Sequence, residues 1–424
     1  MRWLRHWLHR RQRPARYGQL ADLLATQAMT REQVRQKQQQ ALHAIVRYAV
    51  DNTVFYRERF GAADGDFSIL PILRKDDVRQ HMADMLACDA DPLSTPIGHT
   101  GGSTGNPLAF YYNEAKHELM RAGMMRSYMM AGWQPGEKIL NFWGARLDTM
   151  AGGIFGGTRW GDFVAAETTL PAQQVSDDKL QAWADFLLSY RPVLLQGYAT
   201  ILAALARFVL ERRLTVPASL IGVFSTAEVL DDVQRALIEQ AFGCKVFNQY
   251  GSREIPNIAC ECRHGNMHVF TDMVHLESID DNLIITSLTN RLMPMIRYEN
   301  GDSGRLKEGD CACGSPFPLM EMGMCRQNDL ILTPGGRRIH PSYFNRLLTG
   351  LSGIEQFQVI QQVPERLVLN VVTAPETLAP ALQTSLQEAI RRDLDARITL
   401  ELNSVAAIER TASGKHRFVI SHAG

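Results

Sequence analysis

Hydrophobic and polar positions along the chain follow two periods, which together predict a layered α/β protein. Between residues 30 and 52 apolar side chains recur at helical spacing among polar ones, which predicts an amphipathic helix. Further on, short apolar runs alternate with helical patterns. Strands are predicted at Ile139–Trp143, Val193–Gln196, Leu220–Phe224 and Val246–Tyr250, and helices at Ala199–Arg212 and Asp231–Phe242. This alternation is typical of a mainly parallel sheet covered by helices.

The second half of the chain has a different pattern of predicted secondary structure. Closely spaced extended segments between His268 and Leu306 predict an antiparallel, strand-rich subdomain. A smaller α+β unit follows, with strands at Phe357–Gln362, Leu367–Val372 and Ile398–Leu402 and a helix at Ala381–Leu394. We therefore predict an N-terminal segment at 1–29, a large α/β domain at 30–327 that contains the strand-rich subdomain, and a small α+β domain at 328–424.

Composition and charge exclude several classes of protein. Lys and Arg together number 45 and Asp and Glu also number 45, so no net charge recruits nucleic acid. The most apolar window, residues 193–210, is interrupted by Gln196, Gly197 and Arg207, and no transmembrane helix is predicted. The N-terminus lacks the apolar run of a secretory signal, which favours a cytoplasmic protein.

The first 16 residues carry six arginines, and four apolar residues are spaced to share one helical face: Trp3, Leu4, Trp7 and Leu8. Two interpretations stay open. The segment is either an interfacial helix that contacts an anionic membrane, at the inner membrane face, or an end helix docked on its own protein.

A glycine-rich loop, HTGGSTGNP at residues 99–107, is the sharpest local signal in the sequence. Glycines let successive backbone N–H groups converge on one point, so the loop could hold a polyphosphate; the alternative is an ordinary surface turn. Its members of interest are Thr100, Gly101, Gly102, Ser103, Thr104 and Gly105. The loop lacks the Gly-Lys-Ser/Thr ending of a P-loop NTPase.

Three later motifs carry groups suited to a nucleotide. In NQYGSREI, Tyr250 ends a predicted strand, where its ring could stack on a purine, and Glu254 could bind Mg²⁺. In RYENGDSG, Asp302 follows a glycine turn and could accept both ribose hydroxyls. In TASGKHR, Lys415 could reach a phosphate or a carboxylate. Each motif alone has an ordinary structural alternative; their order along the chain makes a shared function more plausible.

These ordered motifs resemble the adenylate-forming superfamily, within it the phenylacetate–CoA ligase branch, and nearest the CapK and coenzyme F390 synthetase-like members. The resemblance runs from DNTVFYRERF at 51–60 to TASGK and includes LPILRKDDVR, HTGGSTGNPL, QGYATILAALARF, FSTAEVL, YGSREIPNIACEC, NRLMPMIRYENGD, CACG and CRQNDLILTPGGRRIHP.

The resemblance implies an AMP-forming ligase that adenylates a carboxylic acid with ATP and Mg²⁺ and transfers the acyl group to a thiol such as CoA. Alternative acceptors are an amine, a sugar or the phosphopantetheine of a carrier protein. A third possibility is a non-catalytic nucleotide-binding scaffold. The resemblance further implies a mobile C-terminal domain and a possible homodimer.

Site residues carried over by matching position are as follows. Thr100, Ser103, Thr104 and Gly105 resemble the phosphate loop, Tyr250, Gly251 and Ser252 the adenine segment, and Glu254 the Mg²⁺ ligand. Asp302 resembles the ribose ligand, Arg326 the arginine near the hinge, Lys415 the catalytic lysine, and Glu228 a residue lining the nucleotide site. Asn106 and Asn328 depart from the pattern, in place of a common lysine and the hinge aspartate.

Two cysteine pairs, C-E-C at 260–262 and C-A-C-G at 311–314, lie near histidines and suggest a structural zinc site. The relatives show a similar cluster. We predict Cys262, His268, Cys311 and Cys313 as ligands, with Cys260 or His264 as substitutes; buried free thiols are the alternative. Four protein ligands would leave no open position for a substrate, so the zinc would stabilise the strand-rich subdomain.

Overall fold

A computed structural model describes residues 1–60, 67–100, 108–143, 159–172, 175–326, 331–339, 342–348, 354–373, 380–409 and 419–423. The helices are α1 Arg2–Gln12, α2 Pro14–Gln27, α3 Arg31–Asn52, α4 Val54–Phe60, α5 Lys75–His81, α6 Glu114–Met130, α7 Arg159–Ala165, α8 Asp177–Tyr190, α9 Ala199–Glu211, α10 Asp232–Phe242, α11 Ser342–Leu348 and α12 Pro380–Asp393, with a 3₁₀ turn at Phe67–Ile69.

The strands are β1 Ile97–His99, β2 Ala109–Tyr111, β3 Ile139–Trp143, β4 Glu167–Pro171, β5 Leu194–Gly197, β6 Gly222–Thr226, β7 Lys245–Tyr250, β8 Ala259–Glu261, β9 Met267–Val269, β10 Val274–Ile279, β11 Asn282–Ser287, β12 Tyr298–Lys307, β13 Leu319–Arg326, β14 Ile331–Leu332, β15 Arg338–Ile339, β16 Ile354–Val363, β17 Arg366–Thr373, β18 Thr399–Ser404 and β19 Val419–Ser421.

The large sheet has eleven strands in the order β10-β11-β12-β13-β9-β8-β7-β6-β5-β3-β4. Strands β4, β3, β5, β6 and β7 are mutually parallel, and β8 and β9 continue the sheet in antiparallel fashion. The predicted α/β class, with a parallel part followed by a strand-rich part, is confirmed.

Alternate residues of the parallel strands face two different layers. On one face Leu140, Leu195 and Val223 form a buried core with helices α8, α9 and α10. On the other face Phe224 packs edge-on against Tyr128 of α6, with ring centroids 5.2 Å apart. The period of two along each strand thus produces a sheet with helices on both faces.

The predicted elements of this region agree closely with the structure. Strand β3 has the predicted bounds, and the long amphipathic helix is α3, which starts at a capping box formed by Thr30 and Gln33. One difference concerns residues 295–299, which lie inside the region between His268 and Leu306 that was predicted to consist of closely spaced extended segments. Strand β12 begins only at Tyr298, because Arg297 has a positive φ of 50° that interrupts an extended backbone.

The chain divides into two compact units. The first comprises Met1–Ile279, Leu283–Asn300 and Arg305–Glu321, and the second comprises Asp280–Asn282, Gly301–Gly304 and Met322–Gly424. The second unit contains a four-stranded sheet in the order β18-β17-β16-β19. Its core joins strand residues such as Val359 and Leu369 to Phe344 of α11 and Ile390 of α12. Residues 327 and 328, between which a domain boundary was predicted, lie outside the described part.

The N-terminal helix α2 is docked on α6 by a buried ion pair. The guanidinium of Arg16 donates from Nη2 to Oε1 of Glu118 at 2.8 Å and from Nε to Oε2 at 3.0 Å. Both residues are almost fully buried, at 5% and 3% exposure. None of the described helices is both long enough and apolar enough to cross a membrane.

Candidate nucleotide site and candidate metal centre

The carboxyl ends of the central parallel strands bring several predicted residues to one edge of the sheet. Tyr250 is the last residue of β7, and Glu228 follows β6, the strand beside it. Tyr198 follows β5, and Trp143 ends β3. In open α/β sheets ligands bind outside the carboxyl ends of the strands, so this edge is the place to look for a site.

The segment after β7 is held in place by polar side chains of β12. The hydroxyl of Tyr250 accepts a hydrogen bond from Nδ2 of Asn300 at 2.7 Å. The hydroxyl of Tyr298 donates to Oε1 of Glu254 at 3.2 Å. Glu254 is only 4% exposed, so its carboxylate is buried and has a fixed orientation. A carboxylate in this state suits a hard cation such as Mg²⁺.

Gly251 and Ser252 shape the turn between the tyrosine and the carboxylate. A Cβ atom at Gly251 would lie 2.8 Å from the backbone nitrogen of Asn257, so the backbones approach too closely for any other residue. The backbone nitrogen of Ser252 donates to the carbonyl of Ile255 at 2.9 Å, and the nitrogen of Ile255 donates to Oγ of Ser252 at 3.1 Å. Both residues therefore have local structural roles in this turn.

Two basic residues that the sequence did not single out form hydrogen bonds at the segment 250–255: Lys116 contacts it, and Arg253 belongs to it. Lys116, in the first turn of α6, donates from Nζ to the carbonyl of Glu254 at 2.8 Å. Burial lowers the pKa of Lys116 to about 8, although the charge of Glu254 acts in the opposite direction. Arg253 donates from Nη1 to the carbonyl of His99 at 2.7 Å. The sequence carries no signal that would have found Lys116, because its contact with residue 254 depends on packing between distant elements.

Arg253 thereby links the predicted adenine segment to the base of the glycine-rich loop. At that base Thr100 donates its backbone N–H to the carbonyl of Leu108 at 2.9 Å, and its Oγ1 accepts from the Leu108 nitrogen at 2.8 Å. Thr100 thus closes the loop. The other predicted members, Gly101, Gly102, Ser103, Thr104 and Gly105, lie outside the described residues.

Glu228 makes a contact that differs from the one expected of it. Its Oε2 accepts hydrogen bonds from the backbone nitrogen of Thr200 at 2.9 Å and from Oγ1 of Thr200 at 2.8 Å. A carboxylate at this position accepts hydrogen bonds from the first turn of α9 and interacts favourably with the helix dipole. Glu228 therefore has a structural role, and its predicted place beside a nucleotide stays a prediction.

The remaining predicted nucleotide residues belong to the second unit. Asp302 lies on β12 within Gly301–Gly304, and Arg326 is the last residue of β13. Lys415 and Asn328 lie outside the described residues. Their assigned roles stay predictions.

The aromatic side chains at the carboxyl end of β3 differ in burial: Phe142 is buried in the core, and Trp143 is partly exposed at the edge of the sheet. Phe142 is buried and packs against Trp183, with ring centroids 5.3 Å apart, so it belongs to the core. Trp143 is only partly buried and lies against Tyr198, with centroids 4.8 Å apart at an angle of 42°. Tyr198 is fully buried, so Trp143 is the partly exposed member of this pair at the carboxyl edge.

The structure brings the four predicted metal ligands together. One ligand atom each from Cys262, His268, Cys311 and Cys313 lies within 4.8 Å of the others. The sulfurs of Cys262 and Cys311 are 3.6 Å apart, and Cys313 Sγ is 3.2 Å from His268 Nε2. Tetrahedral zinc with ordinary bond lengths separates two thiolates by about 3.8 Å, whereas a disulfide requires about 2 Å. The donor set and its spacing fit a zinc ion.

Neighbouring groups orient this cluster as they would around a metal. His268 Nδ1 lies 3.1 Å from the carbonyl of Phe317, which can only accept, so the proton is on Nδ1 and Nε2 faces the cysteines. Burial lowers the pKa of His268, which favours the neutral ring. Asn266 donates from Nδ2 to Cys311 Sγ at 3.3 Å.

The suggested substitute ligands are outside this cluster. Cys260 is fully buried in β8, and its Sγ lies 3.5 Å from the carbonyl of Glu261. Burial raises the pKa of the Cys260 thiol to about 12, which is typical of a packed, unreactive cysteine. His264 is exposed in the turn after Cys262.

Comparison with known proteins gives related sequences and a fold. Residues 331–422 match the CapK C-terminal domain family. The chain is 27% identical to protein CapK of Staphylococcus aureus over 64% of its length and 62% of that protein. It is 25% identical to the phenylacetate-coenzyme A ligase of Thermus thermophilus over 79% of both chains. The CapK alignment thus spans less than two thirds of CapK.

The fold matches that of 2-hydroxyisobutyryl-CoA ligase. The structure of 2-hydroxyisobutyryl-CoA ligase, in the postadenylation state with R3-HIB-AMP, superimposes with a TM-score of 0.74 and 20% sequence identity. The match covers 93% of this chain and 91% of that one. The resemblance inferred from the motifs is therefore confirmed at the level of related sequences and fold.

Proposed function

We propose that this protein is an ATP-dependent, AMP-forming ligase that activates a carboxylic acid and transfers the acyl group to the thiol of CoA. The single observation that carries the proposal is the linkage of two motifs 150 residues apart, through Arg253 and the His99 carbonyl, at the carboxyl edge of a sheet with this fold. The Thermus relative is a phenylacetate-coenzyme A ligase, which supports the acid–thiol chemistry.

The chain's own groups have defined tasks in such a reaction. The carboxylate oxygen of the substrate attacks the α-phosphorus of ATP, and pyrophosphate leaves. Mg²⁺, held by Glu254, would neutralise charge on the phosphates. Lys116 and Tyr298 orient Glu254 from opposite ends, one through the backbone carbonyl and the other through the carboxylate. Because ATP supplies the leaving group, positioning and charge neutralisation are the main work of the protein.

The residues of the second unit complete the proposal. Asp302 would accept the ribose hydroxyls, Arg326 would lie near the ribose, and Lys415 would neutralise the reacting carboxylate and phosphate during adenylation. Tyr250 would stack on adenine. Glycine N–H groups at 101–105 would hold the phosphates. The partly exposed ring of Trp143 suits an aromatic or apolar acid, because small-molecule sites are lined mainly by apolar and aromatic side chains.

Carboxylate-dependent exchange of labelled pyrophosphate into ATP, over a panel of aromatic and aliphatic acids, tests the adenylation step. We expect exchange with at least one acid, and Lys415→Ala should abolish it while leaving the thermal unfolding curve unchanged. Lys307→Ala, on an exposed lysine of β12 paired with Glu321, is the matched control. If no acid supports exchange and the protein fails to bind ATP, the ligase proposal is wrong, and a non-catalytic scaffold becomes the favoured interpretation.

A second acceptor is favoured by one specific observation. Residues 331–422 match the CapK C-terminal domain family, so the acyl group could pass to an amine, a sugar or a carrier-protein arm. Product analysis with and without CoA separates these outcomes. A thioester formed only with CoA supports the first proposal; an amide, ester or carrier adduct in its absence supports the second.

We further propose that Cys262, His268, Cys311 and Cys313 hold a structural zinc. The ion would join the turn after β8 to the 311–314 turn that precedes β13, and thereby stabilise the strand-rich part of the sheet. The cytoplasmic location and the homodimer remain predictions, which fractionation and mass measurement in solution can test.

A further inference from the structure

Helix α1 shows its apolar residues to solvent and its polar residues to the protein. Trp3 is 73% exposed, and Leu4 and Trp7 are each 43% exposed. The half-buried residues of the same helix include Arg5, His6 and His9, together with Leu8. A surface helix of a globular protein normally has the opposite arrangement, so docking on its own protein leaves the tryptophans unexplained.

A second helix adds aromatic residues to this surface. Helix α7, more than 140 residues later in the chain, packs alongside α1. On α7, Trp160 is 60% and Phe163 is 39% exposed, and their rings stack with centroids 5.7 Å apart. We name this surface the aromatic patch: Trp3, Leu4, Trp7, Trp160 and Phe163. Scattered exposed apolar residues need no explanation, but a group of large ones on adjoining helices indicates a binding surface.

The charge around the patch is positive. Helix α1 contains no acidic residue. Its exposed Arg10 and Arg11 follow the tryptophans, and the Arg11 guanidinium lies 4.7 Å from the ring centroid of Trp7. Among the described contacts neither arginine forms an ion pair. On α7, Asp162 is the nearby acid; it is partly buried, and burial raises its pKa.

The patch is held rigidly on the first unit. Arg2 donates to the side chain of Gln134, and a Cβ atom at Gly136 would lie 2.5 Å from the carbonyl of Arg2, so α1 lies tightly against this turn. The buried pair of Arg16 and Glu118 fixes the next helix, α2. Surface tryptophans on a fixed support lose little entropy on binding.

We infer that the aromatic patch with Arg10 and Arg11 docks the protein on the surface of an anionic lipid bilayer. Tryptophan prefers the headgroup boundary, because its ring is apolar and its N–H is polar, and arginine attracts anionic headgroups. Charge selects this occupant over a second copy of the chain: two copies meeting through the patch would bring their arginines together. Membrane docking would also place an acid–thiol ligase near an apolar substrate or product; this last consequence rests on the proposed function.

Co-sedimentation of the full chain with vesicles tests the inference. We expect binding to phosphatidylcholine vesicles that contain phosphatidylglycerol, little binding to phosphatidylcholine alone, and weaker binding as salt is raised. Trp3→Ala with Trp7→Ala should lower the partition coefficient by more than about tenfold, as expected for large apolar side chains kept in water. Arg10→Glu with Arg11→Glu should lower it by at least about tenfold on anionic vesicles.

Matched variants control for general effects. Ile69→Ala with Leu93→Ala removes two exposed apolar side chains away from the patch, and Arg47→Glu with Arg207→Glu reverses two exposed charges on α3 and α9. Both should bind vesicles like the unchanged protein. All the altered side chains are exposed, so circular dichroism should show intact folding in every variant.

Three results would overturn the inference. The first is a protein that stays in the supernatant with anionic vesicles at low salt. The second is binding that the tryptophan and arginine variants reduce no more than the control variants do. The third is a dimer in solution that the tryptophan variant dissociates, which would show that the patch binds a second copy. Because none of these measurements uses ATP or a carboxylic acid, the result is independent of the ligase proposal.

Discussion

The buried pair of Arg16 and Glu118 should dominate the docking of the N-terminal helices. Its bidentate geometry and burial mean that removing one partner leaves the other charge stranded in a low-dielectric environment. Breaking such a pair typically costs about 3–5 kcal/mol. The two single changes should differ, since the groups left behind have different neighbours.

Arg16→Met should fall near the low end of that range, about 3 kcal/mol. Arg13 already lies 3.4 Å from Glu118 and can replace part of the lost interaction. Glu118→Met should fall near the upper end, about 5 kcal/mol, because Arg16 is then left among other positive groups, with His9 Nε2 at 3.3 Å as a weak partner. The double variant should cost less than the sum of the single changes by at least about 2 kcal/mol.

Hydrogen exchange of residues 14–27, together with urea unfolding, measures these costs. Urea alone is insufficient, because a chain of two compact units need not unfold in one step. Exchange should accelerate in α2 in both single variants and recover in the double variant. Additive effects, with no recovery, would refute the reasoning that the pair is a coupled buried contact.

The same pair has a pH signature with a definite sign. Burial alone would raise the pKa of Glu118, but hydrogen bonds from Arg16 and the charges of Arg16 and Arg13 hold it below its ordinary value of 4.5. The lowered pKa adds stability above pH 4.5, and this contribution is lost as pH falls through the folded-state pKa. Protection of α2 should therefore decline in acid, and Glu118→Gln should remove that dependence. A pH profile unchanged by Glu118→Gln would contradict the assignment.

Three further predictions concern packing, the metal and the nucleotide segment. Gly123→Ala in α6 should lower the melting temperature, because its Cβ would lie 2.4 Å from Nδ2 of Asn257. The control Gly18→Ala in α2 places its Cβ where nothing lies within 4 Å, and it should stabilise the folded protein by up to about 1 kcal/mol. Equal effects of the two substitutions on the melting temperature would refute this prediction. Cys311→Ser should lower the zinc content measured by mass spectrometry and the melting temperature together, and a chelator should destabilise the unchanged protein but not the variant. The KM for ATP should rise as pH increases through about 8, where Lys116 loses its charge, and Lys116→Met should flatten that profile. A pH profile that Lys116→Met leaves unchanged would contradict this role.

Much of the first unit's parallel sheet could be predicted because local pattern and tertiary environment agree there. A strand such as Ile139–Trp143 is buried on both faces, so it appears in the sequence as an apolar run in which Asn141 is the one polar residue. The strand Tyr298–Lys307, in contrast, could not be recognised in full from its own residues. Its residues are largely polar, so neither alternation nor an apolar run marks its full extent, yet it is an interior strand of the large sheet. Sheet neighbours, not its own composition, make it a strand.

In the candidate sites, too, some residues could be predicted from the sequence and others could not. The metal ligands could be predicted because cysteine and histidine at close spacing have few structural uses. Spacing alone does not separate Cys260 from Cys262, because residues two apart share one face of an extended strand; β8 ends at Glu261, and Cys262 lies in the turn that follows. Lys116 could not be assigned a role either, since no spacing rule indicates that residue 116 meets residue 254. Such partners are set by packing between distant elements.

The polar character of β12 has a structural reason that connects these observations. Tyr298 and Asn300 are two residues apart, so both point to the same side of the strand, where they reach Glu254 and Tyr250. Apolar residues there would each remove one hydrogen bond from a buried carboxylate or a buried hydroxyl, which is expensive in a low-dielectric environment. The polar side chains of β12 therefore fix the orientation of the Glu254 carboxylate and the Tyr250 ring at the carboxyl edge, although they weaken the sequence signal for a strand. A segment whose only task was to complete the sheet would have no need for that arrangement, so the polar composition of β12 is itself an argument that the residues it orients bind a ligand.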